Sequence, residues 1–476
     1  MTEINNNWQQ RIDTVGRTLT LELQGRIASM RGLVVEVKDF AAPVGAQCRI
    51  VTRNAGEIDA EVIGFRGDAA ILMPLSEMGG IASGDKVFCV SGQLLIPMGP
   101  NLLGRVINGK GEPIDGKGPL LCHVRRGVDT HPMGALDRVR IDRAISTGVR
   151  TIDAMMTCGC GQRMGIFSGP GVGKSVLLGM ISRYTSADVN VIALVGERGR
   201  EVREFIERDL GEAGLSRSIV VVSTSDEPAP VRVKAGFVAS TIAEYFRDQG
   251  KDVLLLMDSM TRIAMAQRQI GLAMGEPPAT KGYTPSVFAL LPQLLERCGR
   301  SRKGSITGFY TVLVEGDDLS EPVSDAMRGV LDGHLWLSRD LANRGHYPAI
   351  DVLESISRVM PDVTEREHQQ LAREIIRLTA IYRDIEDLVN IGAYAPGTNQ
   401  QFDLAVQMHE PITQFLQQHI EDGVSLAEAV AALKELWAKA KAIGQNIANR
   451  DSAGREAATG VSRKTSRQLE QKLVGV

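Results

Sequence analysis

Residues 167–180, FSGPGVGKSVLLGM, decide how the rest of the chain is read. They approach the phosphate-binding pattern G-x-x-x-x-G-K-[ST], except that Ser168 stands where the first glycine belongs. An apolar run, MGIF, leads into the loop, and helix-forming KSVLLGM follows it. In such a strand–turn–helix setting, successive backbone N–H groups converge on an anion at a helix N-terminus. Gly169, Pro170, Gly171, Val172 and Gly173 form the ATP cradle, and Lys174, Ser175 and Val176 open the helix. Lys174 is placed for the β and γ phosphates, and Ser175 for Mg²⁺. Ser168 closes the strand, where a small residue suffices, while Gly171 and Gly173 stand where the backbone must approach the ligand closely. The competing reading is a plain glycine-rich turn, and the lysine, the serine and the flanking elements argue against it.

Working outward, near-continuous apolar strands alternate with helices: RMGIFSG, NVIALVG, SIVVVST and DVLLLMD, with helical stretches between. That pattern indicates a parallel sheet covered on both faces. DVLLLMDSMTR delivers Asp258 to the C-terminal edge of the sheet, where a carboxylate can hold the Mg²⁺ shell through water; many buried strands also end in Asp as a helix cap. VGERGREVREF places Glu197 at another strand end, where it can polarise the water that attacks a γ-phosphate. The same segment also reads as a charged helix start, with Arg198 and Glu201 as solvated partners. Arg358, in GHYPAIDVLESISRVM, lies just past the sheet domain, and by spacing alone a structural salt bridge is its simpler role.

The remaining chain divides around this centre. Trp8, Ile12, Val15, Leu19 and Leu23 mark one face of an amphipathic helix over residues 1–24, which packs on its own protein or docks a partner. Short β-rich runs at even spacing over 25–95 argue for a small β-barrel. The sheet domain spans 96–360 and opens with a turn-rich connector, GPNLLGRVINGKGEPIDGKGP. Periodic helices fill 361–442, and the polar stretch 443–476, short of large apolar groups, reads as a mobile tail. The fold class expected is α/β: a central P-loop domain with a parallel sheet between a small N-terminal barrel and a C-terminal helical domain.

Composition narrows the function. Lys plus Arg number 54 against 57 Asp plus Glu, a net charge of −3, so no global basic field draws the chain to nucleic acid or anionic lipid. The start of the sequence lacks a basic then apolar leader, and no apolar run nears the ~20 residues of a membrane span, so a cytosolic protein is expected. The six cysteines lack metal-finger spacing and read as reduced thiols.

Taken in order, SGPGVGKS, GERGREV, LLLMDSMTRIA, GEPPATKGYTPSVF and GHYPAIDVLESISRVM resemble the ATPase of flagellar and virulence-type (type III) protein export, a family similar to the subunits of rotary F-type ATPases. The resemblance runs from about residue 25 to 440. RGLVVEVKDFAAPVGAQCRI and LLGRVINGKGEPIDG are more similar to the flagellar branch. The resemblance implies Mg²⁺-dependent ATP hydrolysis in a homohexameric ring with ATP at subunit boundaries. It assigns the catalytic carboxylate to Glu197, places Arg198, Asp258 and Arg262 around the γ-phosphate and metal, and makes Arg358 an arginine finger given to the neighbouring subunit. Tyr310 matches a tyrosine near the site of rotary ATPases, and Phe415 is the candidate for the adenine pocket. Ser168 and the stretch past residue 442 depart from the family pattern. The implied partners are a stator-like regulator at the N-terminal helix, a central stalk-like protein in the pore, export substrates and chaperones, and a membrane export gate touched peripherally from the cytoplasm.

Two other classes share the core. One is an RNA-translocating hexamer of the transcription-terminator type, against which the near-neutral charge and the aromatic-poor barrel argue, leaving nucleic acid off the expected partners. The other is a non-catalytic nucleotide-holding ring subunit, against which Glu197 speaks.

Overall fold

Alternating apolar and polar residues over Gln24–Ser91 close on themselves into a barrel, which removes every exposed sheet edge. In the computed structural model its strands are β1 (Gln24–Arg31), β2 (Val34–Lys38), β3 (Gln47–Val51), β4 (Glu57–Arg66), β5 (Ala69–Pro74) and β6 (Lys86–Ser91), joined in the order β1-β2-β5-β4-β3-β6. Val35, Val37, Ile50, Val62, Leu72 and Val87 fill the interior, each contributing roughly 1.5–3 kcal/mol by leaving water. The structure describes residues 23–53, 56–130, 132–314, 316 and 321–473, with side chains described up to residue 450. The amphipathic segment expected over 1–24 therefore lies outside the described residues, apart from Leu23 against the barrel core and Gln24 in β1.

The sheet that carries the P-loop has strands β7 (Val106–Asn108), β8 (Arg163–Ser168), β9 (Val189–Val195), β10 (Ser218–Ser223), β11 (Asp252–Asp258), β12 (Ser305–Leu313), β13 (Gly333–Leu337) and β14 (Ile356–Ser357). Their order is β14-β13-β8-β12-β11-β9-β10-β7. Every pairing is parallel except that of β14 with β13, and a short strand, Gly299–Arg300, adds antiparallel to β12. Successive side chains serve two cores, one on each face. The helices α1 (Lys174–Tyr184), α2 (Ala229–Asp248), α3 (Met260–Met274) and α4 (Pro285–Leu295) cover those faces. All six cysteines carry free thiols.

The connector is more than turns. Its β7 pairs in register with β10, Val106 with Val220 and Asn108 with Val222, so it forms the sheet's far edge. Arg105 fixes the bend by a two-pronged bond to Asp115, Nε to Oδ2 at 2.7 Å and Nη2 to Oδ1 at 2.9 Å. The backbone N–H groups of Val106 and Lys117 donate to the same carboxylate. These bonds hold the Asp115 carboxyl well below the usual carboxylate range.

The C-terminal helices α5 (Arg366–Asn390), α6 (Gln400–Leu416) and α7 (Leu426–Leu473) pack on one another and on the β8 side of the sheet domain. Where the sequence reads as a tail from residue 443, α7 continues without a break to Leu473, and Ile447 is still buried. Ala, Arg, Glu, Gln and Lys, frequent in this stretch, favour the helix even without large apolar groups.

Candidate active site at the P-loop

Parallel strands present their C-terminal ends to one edge of the sheet, and this edge gathers residues far apart in the chain. The end of β8 releases the loop, and α1 begins at Lys174. Gly171 and Gly173 take positive φ angles of 80° and 89°, a left-handed backbone that a side chain would strain. A Cβ on Gly173 would also stand 3.3 Å from the ring of Tyr347. Ser168 is fully buried and its hydroxyl has no hydrogen-bond partner, while its carbonyl accepts from the Val314 N–H at 2.9 Å.

Lys174, Asp258 and Glu197 form the charged centre. Lys174 Nζ donates to Asp258 Oδ1 from the end of β11 and stands 3.7 Å from Glu197 Oε1, two residues past β9. All three side chains are largely shielded from water. Burial pushes the Glu197 carboxyl up to about 7, with Lys174 opposing the shift and Asp258 adding to it. A carboxyl poised there is suited to take a proton near neutral pH. Thr311, from β12, donates its hydroxyl to Asp258 Oδ1 at 2.6 Å.

Of the arginines, Arg262 lies against Gly196, where a Cβ would come within 2.7 Å of its side chain, and its buried Nε has no hydrogen-bond partner. Arg198 points outward and reaches Glu201 at 3.3 Å. Arg358 is exposed beside the edge strand β14, its N–H bonded to the carbonyl of Asp332, at the start of β13. The other end of β13, Leu337, is level with Ser168, so Arg358 sits at the opposite end of the sheet from the P-loop of its own chain.

Tyr310 does not join the centre. Its ring is fully buried on the α2–α4 side of β12, and its hydroxyl meets Cys298 Sγ at 2.8 Å. Strand alternation sends Thr311, one residue on, to Asp258 instead. Phe415 is buried in the core, with the guanidinium of Arg150, a residue lining the cavity beside the loop, 5.7 Å from its ring centroid.

Beside the loop opens a cavity of about 740 Å³. Gly171, Gly173 and Val176 line one wall, Tyr347 and Pro348 a second, and Gln414 of α6 with Gln417 and Gln418 just past it a third. Tyr347 offers a flat, half-exposed ring there, and its carbonyl accepts from the Gln418 N–H at 3.0 Å. The size and apolar lining suit a purine base next to a phosphate cradle.

The chain is similar to known proteins along most of its length. Residues 148–357 match the nucleotide-binding domain of the ATP synthase alpha/beta family, residues 27–89 match that family's beta-barrel domain, and residues 364–435 match the C-terminal domain of the type III secretion ATPase EscN. The flagellum-specific ATP synthase of Bacillus subtilis is 50% identical over 432 residues, covering 90% of this chain and 98% of the relative. The chain belongs to the flagellar and type III secretion ATPase family. The SPI-2 type 3 secretion system ATPase of Salmonella typhimurium is 52% identical over 395 residues, covering 83% of this chain and 90% of that one. The assembled ATPase EscN of the enteropathogenic E. coli type III secretion system superposes with a TM-score of 0.82 at 44% identity, covering 87% of this chain and 99% of EscN. Membership makes the protein an ATPase of the export class and sets aside the RNA-translocase and non-catalytic readings. Among the described residues, no helix is long and apolar enough to cross a membrane.

Proposed function

We propose that the chain hydrolyses Mg²⁺–ATP to drive a flagellar-type protein export apparatus, working as a homohexameric ring with each nucleotide at a subunit boundary. The observation that carries this reading is the grouping of Lys174, Glu197 and Asp258 at the mouth of the loop, beside the Tyr347 cavity. Adenine stacks on Tyr347, the phosphates lie over the backbone of Gly169–Ser175, and Lys174 exchanges Asp258 for the β and γ phosphates. The donors around this point are hard oxygens, the Ser175 hydroxyl and the Asp258 carboxylate, which fit Mg²⁺ held partly through water. When bound, Mg²⁺ neutralises charge building on the phosphate oxygens. Glu197 accepts a proton from water as the water oxygen bonds to the γ-phosphorus and the bond to the β–γ bridging oxygen breaks. Arg262, packed against Gly196, follows the γ-phosphate; Arg198, which points outward to Glu201, is assigned to it by the family resemblance and must swing inward to reach it, and Arg358 acts on the neighbouring subunit's nucleotide.

The wider assembly follows from kinship. EscN has been solved in complex with its central stalk EscO, which supports a stalk-like partner in the pore of this ring. The stator-like regulator at residues 1–24, the export substrates and chaperones, and peripheral attachment to a membrane export gate from the cytoplasm rest on the family resemblance.

The test is a pair of variants. Lys174→Ala should lose ATP turnover and most ATP affinity, whereas Glu197→Gln should bind ATP normally and lose roughly 10²–10⁴-fold in kcat. Unchanged hydrolysis in Glu197→Gln would overturn its role as the base.

A further inference from the structure

A carboxylate at a strand end turns about its own χ2, so two equivalent oxygens compete for each neighbour unless something holds them apart. At Asp258 that something is on the adjacent strand. Met257 and Tyr310 are register partners in β11 and β12, which puts Thr311 beside Asp258. The Thr311 side chain is fully buried, and its Oγ1 lies 2.6 Å from Asp258 Oδ1 and 3.4 Å from the Met257 carbonyl. With one proton to give, the hydroxyl gives it to the nearer, charged acceptor. Lys174 reaches the same Oδ1. Two donors therefore converge on Oδ1, while no described residue donates to Oδ2.

From this asymmetry we infer that Thr311 is a positioning residue for ATP hydrolysis: it locks the Asp258 carboxylate so that Oδ2 is the oxygen offered to the hydrated Mg²⁺ of the nucleotide. The inference rests on the proposed Mg²⁺–ATP reaction and adds a residue to it. Threonine suits the task because its β-branch is stiff at χ1 in a strand, so the hydroxyl keeps its aim. It also keeps Asp258 oriented while Lys174 moves to the phosphates, when the lysine can no longer do so. Valine would fill nearly the same space without the donor.

The experiment compares the full chain with Thr311→Val, Thr311→Ala and Thr311→Ser. A fluorescent non-hydrolysable ATP analogue is titrated with Mg²⁺ and with excess EDTA, kcat is measured in parallel, and melting curves report folding. In Thr311→Val and Thr311→Ala, the affinity gained on adding Mg²⁺ should fall about tenfold, the size of one charge-assisted hydrogen bond. Affinity in EDTA should stay within about twofold, kcat should drop by a similar factor of about ten, and Thr311→Ser should recover both. If valine unfolds the chain, the alanine and serine variants carry the comparison. The inference fails if valine or alanine keeps the full Mg²⁺ gain and kcat, if serine is as impaired as they are, or if affinity falls equally in EDTA. A native chain that neither hydrolyses ATP nor gains affinity with Mg²⁺ defeats the proposed reaction itself, a result distinct from any variant matching a working native chain.

Discussion

Lys174 Nζ stands 3.7 Å from Glu197 Oε1 while it bonds to Asp258, so one cation serves two carboxylates and favours the nearer. The farther acid is left mostly buried and undercompensated, which is why its carboxyl rises to about 7. A base must be unprotonated to act, so kcat/KM, which reports the free enzyme, should be level above pH 7 and fall as pH drops below it. About a unit lower, the loss should approach tenfold. Glu197→Gln should give a low, flat profile over the same range. A native profile flat from pH 5.5 to 8 would show that Glu197 is not the titrating base.

Tyr347 sets the second expectation. Stacking of a base on an aromatic ring is worth about 1–3 kcal/mol, so Tyr347→Ala should weaken ATP binding by about tenfold or more, with kcat at saturation changed far less. Tyr347→Phe keeps the ring and should bind within a few-fold of the native chain. Equilibrium binding of a fluorescent ATP analogue separates the two; equal affinity in all three would remove the ring from the nucleotide pocket.

Arg358 is remote from the P-loop of its own chain, so its contribution should appear only between chains. Arg358→Ala should fold normally and lose hydrolysis by about 10³-fold. Mixed with Lys174→Ala, it should regain part of the activity, because some boundaries then pair an intact arginine with an intact loop. No regain across mixing ratios, with assembly confirmed by light scattering, would argue against donation in trans.

A structural expectation concerns Arg297, fully buried among α2, α4 and the connector. Its Nε and Nη2 each reach Glu244 at 2.7 Å, and Nη2 also reaches Thr130 and Thr241. Removing one partner of such a pair strands the other charge and costs about 3–5 kcal/mol. Arg297→Met should therefore lower the melting temperature sharply, and pairing it with Glu244→Gln should recover part of the loss. An unchanged melting curve for the single variant would mean the network adds little.

The loop was legible because its chemistry is written in the backbone: only glycine takes the angles at 171 and 173 without strain, and the strand and helix on either side are periodic. Asp258 and Glu197 were legible as acids ending apolar strands. Tyr347 was not, since it lies 173 residues beyond Lys174 in a segment whose motif drew attention to Arg358, and only folding brings it against Gly173. Tyr310 and Thr311 show the limit of resemblance, because one step along a strand exchanges the two faces of the sheet. Strand β7 was hidden within glycines and prolines, its three residues too short for any alternation to register.

The edge strand β7 has a mechanical meaning. Lys110, just past it, reaches Asp59 of the barrel at 3.5 Å, and β7 itself is zipped to β10. Beyond β10, the Ser225 N–H holds the carbonyl of Glu197 at 3.1 Å. The barrel is thus geared to the P-loop edge rather than hung from it: a chain of contacts runs from Asp59 through Lys110 and β7 to the backbone of Glu197, the residue proposed to prepare water for attack.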